Sequence, residues 1–100
     1  MVCFGACIGP DASVGEFAIV NSGATVDHDC LVGDFAHVAV GAHLAGGVQI
    51  GQGALIGAGA SVIPNLTVGD WATVGAGAAI IESVPLGKTA VGVPGRIISA

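Results

Sequence analysis

Aliphatic residues recur at every sixth position along this chain. The set is Val2, Ile8, Val14, Val20, Val26, Val32, Val38, Leu44, Ile50, Ile56, Val62, Val68, Val74 and Ile80, fourteen positions with no slip and no insertion. Four residues after each stands a small or aliphatic residue: Ala6, Ala12, Ala18, Ala24, Cys30, Ala36, Ala42, Val48, Ala54, Ala60, Leu66, Ala72, Ala78 and Val84, ten of the fourteen being Ala. Glycine follows the aliphatic position at Gly9, Gly15, Gly33, Gly51, Gly57, Gly69 and Gly75. A period of six belongs to neither a helix nor a hairpin meander. Two inward residues per six, with a glycine able to take a corner, predict a short strand and then a turn. Three such units close a triangular coil of roughly 18 residues, and stacked coils form a parallel β-helix. Fourteen hexads make about 4.7 coils, roughly 22 Å tall at the usual strand spacing. A sandwich with chance alternation could not hold phase for so long.

This architecture explains an odd composition. Apolar residues make up 53% of the 100-residue chain, yet only 4% is aromatic and 18 residues are Gly. Rings of Val and Ile with Ala at the corners use such a mixture, and helical bundles do not. No apolar run approaches the 18 residues of a membrane span, and the N-terminus lacks the basic region of a signal peptide. The net charge is −5, with Lys88 and Arg96 the only lysine or arginine residues, so a phosphate-binding surface for nucleic acid is excluded. Cys3, Cys7 and Cys30 are odd in number and lack zinc-finger spacing, which points to a reduced, cytoplasmic compartment. Residues 1–85 read as the coil, and 86–100 break the rhythm and read as a C-terminal capping tail.

Residues 18 apart should stack. Phe17, Phe35 and Trp71 then share one outward column with Gly53, either as cover for a prism face or as part of a subunit interface. Gly57-Ala58-Gly59 and Gly75-Ala76-Gly77 stack at one corner, leaving a strip without side chains where a long thin ligand could lie on backbone. His28, His37 and His43 all face outward, at spacings that put them on different faces. They cannot converge on one metal within a single chain.

The segment Asn21-Ser22-Gly23-Ala24-Thr25-Val26-Asp27-His28-Asp29-Cys30 stands in register with Gly33-Asp34-Phe35-Ala36-His37-Val38, Pro64-Asn65-Leu66 and Val91-Gly92-Val93-Pro94-Gly95-Arg96. Together they resemble the hexapeptide-repeat acyltransferases, in particular the bacterial nucleotide-sugar N-acetyltransferases and sialic acid O-acetyltransferases. The resemblance implies a left-handed coil, a homotrimer and acetyl-CoA as acyl donor, with transfer to a sugar amine or hydroxyl and no metal. It assigns His28 as general base at a subunit boundary, with Asp29 raising its basicity, and places Asn21 near the base on the substrate side. It puts His37 against the thioester, Ala58 and Ala76 against the coenzyme through their backbone, and Lys88 and Arg96 near its phosphates. It gives His43 no role. Asp27 rivals Asp29 as the partner of His28, because neighbours on a strand point to opposite faces unless a corner intervenes. That branch also carries an N-terminal Rossmann-like domain for the nucleotide sugar, whereas this chain starts inside the first hexad. It reads either as a piece of a longer enzyme or as a minimal acyltransferase with another acceptor. Two other readings are a non-catalytic trimerising β-helix or truncated relic, and an intersubunit metalloenzyme of the carbonic anhydrase type.

Overall fold

The computed structural model describes residues 1–98, so the last two residues of the expected tail lie outside the described residues. The chain is all-β, a parallel β-solenoid of about five turns consistent with the left-handed coil. Its first sheet stacks β1 (Cys7–Ile8), β4 (Thr25–Val26), β7 (His43–Leu44), β10 (Ser61–Val62) and β13 (Ala79–Ile80). The second stacks β2 (Ser13–Val14), β5 (Leu31–Val32), β8 (Gln49–Ile50) and β11 (Thr67–Val68). The third stacks β3 (Ile19–Val20), β6 (His37–Val38), β9 (Leu55–Ile56), β12 (Thr73–Val74) and β14 (Thr89–Val91), and ends on β15 (Arg96–Ile97). Through β13 every strand pair is parallel with partners 18 apart, for example Thr25 on His43 and His43 on Ser61.

The two-residue strands present one side chain outward and the next inward. The inward rungs from Val20 onward are buried, as are the alanines from Ala18 to Ala78 beside the corners. The exceptions to alanine fall on one ladder: Cys30, Val48 and Leu66 follow the same corner, stacked on Ala12. Cys30 is buried there, and its thiol donates to the Ala45 carbonyl at 3.0 Å. Among the described residues no polar or charged side chain is buried, so the core is chemically silent and any chemistry is on the outside.

Each corner contributes one residue in the left-handed backbone region, and the three corner columns differ in composition. Between the third and first sheets the column is Gly5, Gly23, Gly41, Gly59 and Gly77. Between the first and second it is Asp11, Asp29, Gly47 and Asn65, residue types that tolerate this conformation. Between the second and third it is Phe17, Phe35, Gly53 and Trp71. There, φ near 60° is an outlier for a bulky side chain and costs about 1–2 kcal/mol per residue. Interlocking holds it, since the corner N–H groups of Phe35, Gly53 and Trp71 donate to the carbonyls of Glu16, Asp34 and Gln52 one coil below. Phe17 and Phe35 stack at 5.4 Å, and the Trp71 ring fills the space over Gly53.

The last coil is two residues short. Val84 bridges to Val68 and Ala90 pairs with Val74, both 16 apart, so Val84 occupies an aliphatic rung and not the small position after Ile80. Beyond β14 the chain reverses and β15 pairs antiparallel with it, Val91 opposite Arg96.

Candidate functional site

His28 occupies the corner between the first and second sheets, above Pro10 and below Gly46. Asp29, at φ 59°, turns its carboxylate back toward the imidazole, and Nδ1 of His28 meets its Oδ2 at 3.0 Å. Asp27 serves a different atom: its Oδ1 accepts the His28 backbone N–H at 2.7 Å. The corner thus decides between the two candidate partners, because the left-handed residue bends the strand alternation that would have favoured Asp27. The imidazole and the Asp29 carboxylate are both more than half exposed. The Asp29 hydrogen bond is the main cause that lifts the His28 pKa above its ordinary value, with the Asp27 charge next. With Nδ1 engaged by the carboxylate, Nε2 is the nitrogen left to take a proton.

His37 lies on β6 in the third sheet, half-buried, on a different face from the His28 corner. Asn21 is its partner at 3.2 Å, not a neighbour of His28 within the chain. The Asn21 Oδ1 accepts the Ser22 N–H at 2.7 Å, which orients the amide so that its NH₂ donates to Nε2 of His37. An accepting Nε2 puts the ring proton on Nδ1, leaving that N–H as a donor on the outer face.

The glycine corner adjoins the same sheet. Gly77 donates to the Ala58 carbonyl at 2.8 Å, so the two triplets stack as expected. Ala58 and Ala76 are exposed, and a Cβ on Gly59 or Gly77 would meet nothing within 4 Å. The strip is longer than the two triplets suggested: glycine stands at that corner in five coils. Arg96 pairs with Val91, whose side chain lies over Gly75, and this sets Arg96 at the C-terminal end of the strip. Lys88 precedes β14 at the opposite edge of the sheet, its carbonyl accepting from Thr73.

Two hollows open on the surface. One, about 420 Å³, lies at the C-terminal end of the prism, floored by Ile80, Val84 and Ala90 with Glu82 and Arg96 on its wall. The other, about 370 Å³, is a shallow depression on the first sheet lined by Thr25, Asp27, His43, Ser61, Ile63 and Pro64. His43, which had no expected role, accepts or donates at Nδ1 to the Thr25 hydroxyl at 2.8 Å and borders this depression beside the His28 corner. Its signal in the sequence was the 18-residue stack Thr25-His43-Ser61. Among the described residues no group of three or more His, Cys, Asp or Glu could hold a metal ion, and no helix is long and apolar enough to cross a membrane.

Six-residue rungs with glycine and Asx corners define a hexapeptide-repeat β-helix, and an exposed His–Asp pair stands on one of its corners. The family model described as bacterial transferase hexapeptide (six repeats) matches residues 47–82, and the chain belongs to that hexapeptide-repeat family. Among solved structures it is similar to a histidine-to-alanine variant of GDP-perosamine N-acetyl transferase from Caulobacter crescentus, in complex with CoA and GDP-perosamine. That match has 42% identity and a TM-score of 0.94 over 96% of this chain and 46% of the other. WeeI from Acinetobacter baumannii AYE matches at 38% identity and TM-score 0.92, over 96% of this chain and 48% of that one. The acetyltransferase domain of PglB from Neisseria gonorrhoeae FA1090, in complex with acetyl coenzyme A, matches at 36% identity and TM-score 0.74, over 97% and 54%. No curated protein sequence matches the chain. The chain spans about half the length of the solved relatives.

Proposed function

We propose that the protein is an acetyl-CoA-dependent acetyltransferase acting on an amine or hydroxyl of a sugar or nucleotide sugar. In this reading its sites are assembled at the boundaries of a homotrimer, and the segment from residue 86 adds the β14 rung to the third sheet and then turns back through β15 to close the end of the coil. The observation that carries the reading is the separation of two complementary half-sites: the His28–Asp29 pair on one corner, and His37 with Asn21 on another face beside the glycine strip. A cyclic, head-to-tail contact brings the corner of one copy to the face of the next. The CoA and acetyl coenzyme A complexes of the similar structures support the donor.

The chemistry follows from the free ring atoms. Nε2 of His28 takes the proton from the acceptor as its nitrogen or oxygen attacks the thioester carbonyl. Asp29 stabilises the imidazolium that forms. Nδ1–H of the partner's His37 donates to the oxyanion of the tetrahedral intermediate. When the carbon–sulfur bond breaks, His28 returns its proton to the departing thiolate. Backbone groups at Ala58 and Ala76 hold the pantetheine arm where no side chain intrudes, and Arg96 meets phosphate at the strip's end, with Lys88 contributing from the far edge. These two cations offset, in part, the repulsion between a chain at −5 and an anionic donor. Three free cysteines suit a reducing, cytoplasmic setting.

Calorimetric titration with acetyl-CoA, followed by a free-thiol assay over amino sugars and sialic acid, tests the function. Heat of binding and acceptor-dependent thiol release are expected. No binding at all would favour the non-catalytic β-helix. Arg96→Glu should weaken donor binding more at low salt than at high salt, since the ion atmosphere screens exposed charges. Equal affinity at low salt would remove Arg96 from the site.

The pH dependence has a defined sign. Activity needs neutral His28, so the rate falls as pH drops through its raised pKa. Asp29→Asn removes the hydrogen-bonding carboxylate, lowers that pKa and moves the acid limb to lower pH. Asp27→Asn should move it in the same direction by less. A larger shift for Asp27→Asn, read from kcat/KM against pH, would reverse the assignment.

A further inference from the structure

Gly46 lies one coil above His28 and is buried, and Gly47 ties the two coils by donating to the His28 carbonyl at 2.9 Å. A Cβ built on Gly46 would land on Cε1 and Nε2 of the His28 ring and within 3.2 Å of Cδ2. The three nearest atoms all belong to that imidazole. The backbone makes no demand for glycine here, because Gly46 does not have a left-handed φ, in contrast to Gly47 at +72°. Gly46 stands one residue beyond the position that directly follows the rung. Gly33 and Gly57 occupy that earlier position and are required by backbone atoms of the next coil, whereas the positions stacked with Gly46 are Pro10, His28 and Pro64, which carry side chains. At Gly46 the missing methyl is filled by a side chain instead, and by the Nε2 edge that the reaction uses.

We propose that Gly46 is a positioning residue for His28: its bare Cα is the shelf on which the imidazole lies, leaving Nδ1 on Asp29 and fixing the direction of Nε2. The inference rests on the acetyl-transfer reading for its consequence in turnover, but not for the placement of the ring. An alanine at this position forces the ring to withdraw by about 1 Å to reach ordinary contact. A hydrogen bond of 3.0 Å does not survive such a shift in its favourable geometry. The imidazole then loses its carboxylate partner and its aim together.

The test compares the parent protein with Gly46→Ala. Proton NMR titration of the His28 Cε1–H, in protein without donor or acceptor, should give a lower midpoint in Gly46→Ala than in the parent. In the free-thiol assay kcat should fall on the order of 10²-fold, the scale of a 1 Å misplacement, with the KM for acetyl-CoA little changed. The double variant His28→Ala/Gly46→Ala should melt no lower than His28→Ala, because the methyl then has room. An unchanged His28 midpoint in Gly46→Ala overturns the proposal. So does a double variant that melts well below His28→Ala, which would make Gly46 a requirement of the coil itself. A lowered midpoint together with full turnover in His28→Ala would leave the shelf standing and remove the base, so the two failures are told apart.

Discussion

His28→Ala is expected to lose roughly two to four orders of magnitude in turnover while binding acetyl-CoA as the parent does. The loss follows from the removal of the one nitrogen placed to accept the acceptor's proton, and affinity is spared because the glycine strip lies at a different corner. His37→Ala should also fall, by less, since it removes one oxyanion donor while the base remains. Neither histidine can serve the other within one chain, because β6 and the His28 corner belong to different faces. Mixing the two variants by unfolding and refolding them together therefore gives a sharper test than either alone. In every trimer that holds both variants, one boundary of the three receives an intact His28 from one variant and an intact His37 from the other. That is roughly a quarter of all boundaries after random 1:1 mixing, and activity should return there. Full turnover in His28→Ala, with an acceptor the parent accepts, would end the mechanism. Mixed oligomers that stay inactive would end the boundary site.

The coil was legible because a six-residue period held for fourteen rungs is a statement about every residue at once. The stacking of residues 18 apart followed from it and appears directly in the strand registers. The same regularity misassigned Val84, where two residues are missing from the last coil and the phase jumps onto Val68. Periodicity carries no warning of a shortened coil until the next rung fails.

At the candidate site, outward exposure of the histidines was readable, and so was their distribution over different faces. Two features were not. The Asp29 contact was implied by the family resemblance and not by the strand pattern, because it depends on a left-handed φ at a non-glycine residue, which strand alternation cannot announce. The pairing of Asn21 with His37 joins residues 16 apart, where the end of one strand meets the start of another, so an 18-residue ladder passes it by. The aromatic column was visible as a stack, whereas its strained conformation was not, because Phe and Trp are the wrong residues from which to expect positive φ.

The glycines separate into two physical kinds, and two neighbours allow the difference to be measured. Gly57 is buried, and a Cβ there would stand 2.5 Å from the Ala76 nitrogen, 2.7 Å from the Gly75 carbonyl carbon and 2.7 Å from the Val74 oxygen. All three are backbone atoms of the next coil, held by the ladder, so no rotamer change relieves the clash. Gly57→Ala must push two coils apart at a corner, and it should cost about 3 kcal/mol, the upper end of ordinary overpacking. Against a total stability of about 5–15 kcal/mol for a domain of this kind, that is a large fraction. Gly59 sits two residues on, at φ +70° with nothing within 4 Å of its missing Cβ. Gly59→Ala meets no atom and loses only the freedom to be left-handed, about 1–2 kcal/mol. Urea unfolding of the two variants should therefore rank Gly57→Ala well below Gly59→Ala. The reverse order would mean that corner conformation, and not the close approach of successive coils, sets which glycines this fold requires.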